Sequence, residues 1–159
     1  MRVGFYAGSF DPFTLGHLHI VKVASSVFDK VVVGIGINPG KSRRYSSHAM
    51  QEAISRVLSR EGIANFEVVI YDGLTADVAK EYGADFLIRG LRNGSDYDFE
   101  ENLALINMEV SDIDTIYFRA DKLGAISSSM VYELIKRGKD VSKYLPKEVI
   151  KLISIKDIV

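Results

Sequence analysis

The chain of 159 residues contains no cysteine. That absence excludes disulfide bridges, zinc–thiolate centres and cysteine nucleophiles, and it agrees with a reducing cytoplasm. An excess of charge of one sign is missing too: 20 basic residues against 21 acidic ones leave a formal net charge of −1. No global field draws in nucleic acid or an acidic membrane, so any anion site must be a local cluster. Long apolar runs are lacking. The longest aliphatic-plus-glycine stretch, Val31 to Ile37, falls far short of the roughly 20 residues that a membrane-spanning helix needs. The first residues carry one arginine and no extended apolar core, so no secretory signal is expected. Aspartates and glutamates do not cluster with the spacing of a protein-made metal cage, and no protein metal site is expected. No repeat, linker or low-complexity stretch divides the chain. The expectation is one soluble, cytoplasmic domain over residues 1–159.

What is present is a 47% share of hydrophobic residues, enough for a core in a domain of this size. Strands are expected at 3–7, 31–37, 66–71, 86–88 and 115–118. Helices are expected at 16–28, 47–60, 74–82, 97–109, 128–137 and 146–153. The strands are apolar at consecutive positions, as in Val31-Val32-Val33 and Val68-Val69-Ile70. That pattern marks strands covered on both faces by helices. Strict alternation of the two element types predicts an α/β fold with a doubly wound parallel sheet and C-terminal helices. In such sheets ligands bind beyond the carboxyl ends of the strands. Attention therefore falls on residues 8–15, 38–46, 72–75, 89–95 and 119–129.

One of these segments is deceptive. "GIGINPGKS", residues 34–42, looks like a phosphate loop, but that loop needs four residues between its first glycine and Gly-Lys-Ser. Gly34 leaves five before Gly40, and Gly36 leaves three. The dinucleotide pattern fails as well, because three residues rather than two follow Gly36 before Gly40. Lys41 remains as a cation just past a strand end; such lysines are mostly solvated.

The first loop, "GSFDPFTLGH" at residues 8–17, is more informative. On a helix, His17 lines up with Ile20, Val21, Ala24 and Phe28, the inward stripe, whereas His19 lines up with Lys22 and Ser26 on the wet side. A lone histidine on an inward stripe is ordinarily a core residue bonded to a carbonyl. Here its neighbours favour an anion. His17 sits in a first helical turn, where free N–H groups and the positive end of the dipole gather. Gly8 and Gly16 bracket the loop and allow close backbone approach, and Ser9 adds a hydroxyl. Further on, Arg89 and Arg92 bracket Gly90-Leu91, a pair of planar forks suited to phosphate oxygens. Ser127-Ser128-Ser129 precede "MVYELIKRG". An N-cap worth about 1 kcal/mol explains one of these serines and leaves the other two unexplained. Glu100 falls beside Ala104 and Asn107, flanking an apolar stripe of Phe99, Leu103 and Ile106.

Three motifs together carry a resemblance. "TLGH" (14–17) resembles the Thr/His-x-Gly-His signature of the nucleotidylyltransferase superfamily. "ISSS" (126–129) resembles its second nucleotide motif, at the start of a late helix. "LIRGLRNGSDYDFE" (87–100) stands between them. In this order and over this length, from Phe5 to about Leu145, the trio is similar to the bacterial phosphopantetheine adenylyltransferase family. The resemblance implies a Rossmann-like fold. It also implies transfer of the adenylyl group of ATP to 4′-phosphopantetheine, giving dephospho-coenzyme A and pyrophosphate. The attacking phosphate is already an anion, so such catalysis is positioning and charge stabilisation rather than side-chain nucleophilicity.

The same resemblance implies His17, Lys41 and Arg92 as catalytic residues, and Ser9, Lys41, Thr75 and Arg89 as binders of the acceptor substrate. Ser9, Phe10, His17, Gly90, Leu91, Arg92 and Glu100 would meet the nucleotide, as would Leu123, Gly124, Ala125, Ile126, Ser127, Ser128 and Ser129. Mg²⁺ would arrive on ATP, held mainly by phosphates and water. A homo-hexamer and coenzyme A as a candidate feedback ligand belong to the same expectation; nucleic-acid and membrane partners do not. The chain departs from many members of the family in two places. Ser47-His48-Ala49-Met50 stand where a Leu-Glu-Glu-Arg run is common, and Leu123-Gly124-Ala125 where an aromatic residue is common. Ser9 replaces a common threonine and keeps the hydroxyl. Two alternatives stay open on the residues alone: another adenylyl- or cytidylyltransferase of the superfamily, and a non-catalytic nucleotide-binding module.

Overall fold

Apolar runs that alternate with amphipathic segments become, in the computed structural model, five strands and six α-helices. The structure describes residues 1–158, leaving aside the side chains of Ser95, Ala125 and residues 155–158; Val159, the last residue of the expected domain, lies outside the described residues. The strands are β1 (Val3–Gly8), β2 (Lys30–Gly36), β3 (Phe66–Tyr71), β4 (Phe86–Leu91) and β5 (Asp114–Arg119). The helices are α1 (Leu15–Val27), α2 (Ser47–Arg60), α3 (Thr75–Glu81), α4 (Gly94–Ser111), α5 (Ser128–Lys136) and α6 (Lys147–Ile158). A 3₁₀ turn at Lys122–Ala125 leads into α5.

All strand pairs are parallel, and the order across the sheet is β3-β2-β1-β4-β5. This is the expected doubly wound α/β sheet. Its two faces explain the unbroken apolar runs. Val31, Val33 and Ile35 of β2 enter one core with Val21, Ala24, Ile54 and Val149. Val32 enters the other, with Phe5, Val69 and Ala79. Both sides of each central strand are thus covered, as parallel sheets require. Strand order reverses between β1 and β4, and a crevice at that switch point, outside the carboxyl ends, is where such sheets bind ligands.

One sequence expectation needs correction. The fourth strand was expected to stop at Ile88 but runs to Leu91, with Arg89↔Tyr117 and Leu91↔Arg119 paired to β5. Arg89, Gly90 and Leu91 are therefore ladder residues, not loop residues, and Arg92 is the first residue past the strand. The Phe99–Leu103–Ile106 stripe of α4 does not enter either core: Phe99 is 63% exposed, and Leu103 and Ile106 are exposed as well. Helical periodicity revealed an apolar face but not what lies against it.

Candidate active site

Two cavities open above the switch point and share a wall. The smaller, of about 290 Å³, is lined by the end of β1, the start of α1, the end of β4 and the start of α5. His17, Arg92, Gly124 and Ser127 all face it. The larger, of about 730 Å³, is mainly apolar, with Phe5, Leu74, Leu87 and Leu103 among its walls and Asn38, Thr75 and Asn107 as polar points. Ala7, Gly8, Ser9 and Arg89 line both. The seam between the cavities is thus the carboxyl end of β1, with one arginine from the neighbouring strand.

His17 is held from several sides. Thr14 caps α1: its hydroxyl accepts from the His17 N–H at 3.3 Å, and the Thr14 N–H donates to His17 Nδ1 at 3.0 Å. This is a reciprocal capping box with histidine in the place that glutamate often takes. An Nδ1 that accepts a hydrogen bond carries no proton, so in the neutral ring the proton sits on Nε2. The ring packs edge-on to Phe10 at 4.9 Å and tilted against Phe13 at 5.5 Å. Burial, with the cations of Arg89 and Arg92 adding to it, lowers its pKa from 6.5 to about 4. At neutral pH, His17 is therefore an uncharged, fixed N–H donor on the wall of the smaller cavity.

The helix starts supply further donors. In α1, the Leu15 N–H is spent on the Tyr144 carbonyl at 2.8 Å and that of His17 on Thr14. The Gly16 N–H makes no hydrogen bond among the described residues, and Gly16 lines the cavity. A side chain there would collide with the backbone: a Cβ on Gly16 would stand 2.8 Å from the Gly124 Cα. In α5, Ser127 is the N-cap, accepting from the Met130 N–H at 3.1 Å. The amides of Ser128 and Ser129 have no intrahelical acceptor. The two serines left over after capping have partners: Ser128 Oγ donates to the Pro12 carbonyl at 2.7 Å, and Ser129 Oγ accepts from Arg44 at 3.1 Å.

Both arginines of the "LIRGLR" segment are already paired. Arg89 forms two parallel hydrogen bonds to Glu100, each 2.8 Å, and a third to the Ala7 carbonyl at 3.0 Å. Burial opposes its charge, but the Glu100 carboxylate outweighs burial, so its pKa is raised and the guanidinium stays cationic. Arg92 donates to Asp96 at 2.9 Å, and this hydrogen bond holds the Asp96 carboxyl below its usual range. Three of the five guanidinium donors of Arg89 are used, which leaves two for another anion.

The remaining expected residues fall as follows. Ser9, Phe10, Gly90 and Ile126 join His17 and Arg92 around the smaller cavity. Glu100 and Thr75 line the larger one, with the Thr75 hydroxyl 2.8 Å from that of Tyr71. Leu91, Leu123 and Ser129 line neither. The Ala125 side chain lies outside the described residues. Lys41 is exposed and lines neither cavity; its N–H closes a turn on the Asn38 carbonyl at 3.0 Å. His19, expected on the wet side, is part-buried, with its Nδ1 3.5 Å from Asp121. Asp121 also accepts from the N–H groups of Leu123 and Gly124. Among the described residues, no three histidine, aspartate or glutamate side chains come together as a metal site, and no helix is long and apolar enough to cross a membrane.

Sequence reasoning passed over Tyr6, which lines the smaller cavity, and Asp11, a buried carboxylate under the first loop. It also missed Arg43 and Arg44, which bind that loop. The available signal was "SRRY" beside a buried Asp-Pro pair, overshadowed by the glycine spacing just before it.

Helix-start amides, a fixed imidazole and arginines thus converge at the switch point of a parallel α/β sheet. The Cytidylyltransferase-like family matches residues 5–134. Among solved structures, a protein described as a candidate nicotinate-nucleotide adenylyltransferase of Vibrio parahaemolyticus superposes with a TM-score of 0.67 at 18% identity. The match covers 96% of this chain and 99% of that one, and it speaks for the fold. Phosphopantetheine adenylyltransferase of Porphyromonas gingivalis is 45% identical over 92% of this chain and 95% of its own length. Those of Leuconostoc citreum and Flavobacterium psychrophilum are 43% and 39% identical, each over 94% of this chain and over 95% and 98% of their own lengths. The chain belongs to the phosphopantetheine adenylyltransferase family.

Proposed function

We propose that the protein transfers the adenylyl group of ATP to 4′-phosphopantetheine. An oxygen of the acceptor phosphate attacks the α-phosphorus in line. A phosphorus–oxygen bond forms there, the bond to the β-phosphate breaks, and pyrophosphate leaves with the electron pair. The observation that carries this reading is the seam: an anion-receiving cavity and a larger amphipathic one share Ala7, Gly8, Ser9 and Arg89.

In this reading ATP occupies the smaller cavity. His17 Nε2–H donates to the α-phosphate as negative charge builds. Removing a preorganised donor of this kind costs roughly 100- to 1000-fold in rate. Arg92 exchanges Asp96 for the outer phosphates, and the amides at the start of α5 receive them. Ser9, Phe10, Gly90, Leu91, Glu100 and residues 123–129 complete the nucleotide side. Mg²⁺ comes with ATP as part of the substrate. The pantetheine arm, apolar with two amides, takes the larger cavity beside Leu74 and Thr75. Its phosphate meets the two spare donors of Arg89, and Lys41 closes over it.

The same reading places the enzyme in the cytoplasm as a homo-hexamer, with coenzyme A as a candidate feedback ligand. The exposed apolar face of α4 is the surface best suited to a second copy. Release of pyrophosphate measured over a panel of acceptors tests the assignment. Turnover is expected with 4′-phosphopantetheine and not with nicotinate mononucleotide or phosphocholine. Turnover with one of the latter alone would move the protein elsewhere in the superfamily.

A further inference from the structure

The segment after β2 carries an arginine that neither cavity contains but that touches their seam. Arg43 Nη1 donates to the Ser9 carbonyl at 2.7 Å, and its Nε donates to the Tyr45 carbonyl at 3.0 Å. Its side chain is only 17% exposed. Nη2 is buried, makes no hydrogen bond among the described residues and stands 3.6 Å from Asp11 Oδ1. The Asp11 side chain, itself 10% exposed, accepts the N–H of Arg44 at 2.8 Å and that of Tyr45 at 2.9 Å. One buried anion thus folds residues 43–45 back onto the first loop, and the Arg43 cation balances it. Either charge left alone in that position would be strongly unfavourable.

The place of this knot gives it a consequence. Ser9 belongs to both cavities. Lys41 lies two residues before Arg43, and two residues of chain reach at most about 7 Å. Fastening Arg43 to Ser9 therefore ties the segment that carries Lys41 to the first loop, whose Ser9 lines both cavities. The Lys41 side chain remains exposed and makes no ion pair among the described residues. A planar fork is what the position uses, because two of its nitrogens serve carbonyls on two different segments. Arg44 acts elsewhere. It donates to the Asp11 carbonyl and to Ser129 and lies over the Tyr132 ring, so it holds α5.

We propose that Arg43, held between the Ser9 carbonyl and the Asp11 carboxylate, is a positioning residue that sets where Lys41 meets the acceptor phosphate. The proposal rests on the role given to Lys41 above. It is tested by steady-state turnover and ATP calorimetry on the full chain and on R43M, R43K, K41A and the double variant K41A/R43M. R43M should lower kcat about 10- to 100-fold, as small misplacements of a reacting group do, with ATP affinity unchanged. R43K, which keeps the charge but not the fork, should fall between R43M and the parent. K41A/R43M should turn over no more slowly than K41A, because no lysine is left to place.

Additive losses in the double variant, a parental kcat in R43M, or loss of ATP binding together with kcat would each overturn the positioning role while leaving Lys41's intact. A parental kcat in K41A would overturn both. Should R43M fail to fold, R43K carries the test with the same readouts: lowered kcat with parental ATP affinity is expected, and a parental kcat or lost ATP binding overturns the proposal.

Discussion

At His17, one threonine sets apart an ordinary core histidine from the hydrogen-bond donor to phosphate proposed above. By giving its N–H to Nδ1, Thr14 leaves the proton on Nε2. Burial and the two arginines then keep the ring neutral down to a pKa of about 4. A neutral donor can sharpen its hydrogen bond as charge develops on the α-phosphate without adding a titration near pH 7. The prediction is direct: in an NMR titration of the ring protons, the His17 midpoint lies near 4, well below the ordinary histidine value of 6.5. The sign for stability follows from the same shift. The unfolded chain takes up the His17 proton near pH 6.5 and the folded one only near 4. Stability due to this residue is therefore full above about 6.5 and falls by about 1.4 kcal/mol per pH unit as pH drops between those values. Denaturant midpoints of the parent and of H17N across this window should converge. A His17 midpoint near 6.5 would contradict the tautomer and its setting.

At the scale of elements, the site depends on close approaches between segments distant in sequence. Gly16 of α1 and Gly124 of the 3₁₀ turn pack backbone to backbone on the cavity wall. Gly16→Ala should force them apart, lowering stability by about 1–3 kcal/mol as overpacking does and raising the KM for ATP more than it lowers kcat. Melting curves and steady-state kinetics check both. This level also shows what the sequence could reveal. Strands and helices were legible because buried parallel strands read as Val-Val-Val, and helices read as the amphipathic stretches between them. The placement of His17, Arg92 and the serine segment about one cavity was legible, because each follows a strand end. The length of β4 was not, because Arg89-Gly90 looks like a turn, yet Gly90 sits in the ladder against Ile20. The Arg89–Glu100 and Arg92–Asp96 pairs were hidden too. Each joins residues that the sequence presents as separate cations and surface carboxylates, and only the turn from β4 into α4 brings them within 3 Å of each other.

For the whole molecule, the distribution of apolar surface matters more than its amount. Both faces of the sheet are covered, yet α4 leaves Phe99, Ile106 and Val110 exposed along one side, the last at 68%. A bare helix face of this kind next to the larger cavity, which Leu103 and Ala104 also line, is expected to be buried against another copy. Sedimentation of the parent should show an oligomer, and charging the face with F99E and V110E together should shift it toward monomers. A parent that sediments as a monomer would contradict that expectation. At the far side, α6 is fastened to α2 by the Arg60–Glu148 pair at 2.6 Å and by Val149 and Ile153 in the core. Helix α6 thus packs with α2 on one face of the sheet.

The most direct measurement is mass spectrometry of the products formed when the protein meets ATP, Mg²⁺ and 4′-phosphopantetheine, with H17A run beside it. Dephospho-coenzyme A and pyrophosphate in equal amounts are predicted, with no adenylyl group left on the protein and the H17A rate reduced roughly 100- to 1000-fold. ADP as a product, an adenylylated protein, or an H17A rate equal to that of the parent would contradict the account.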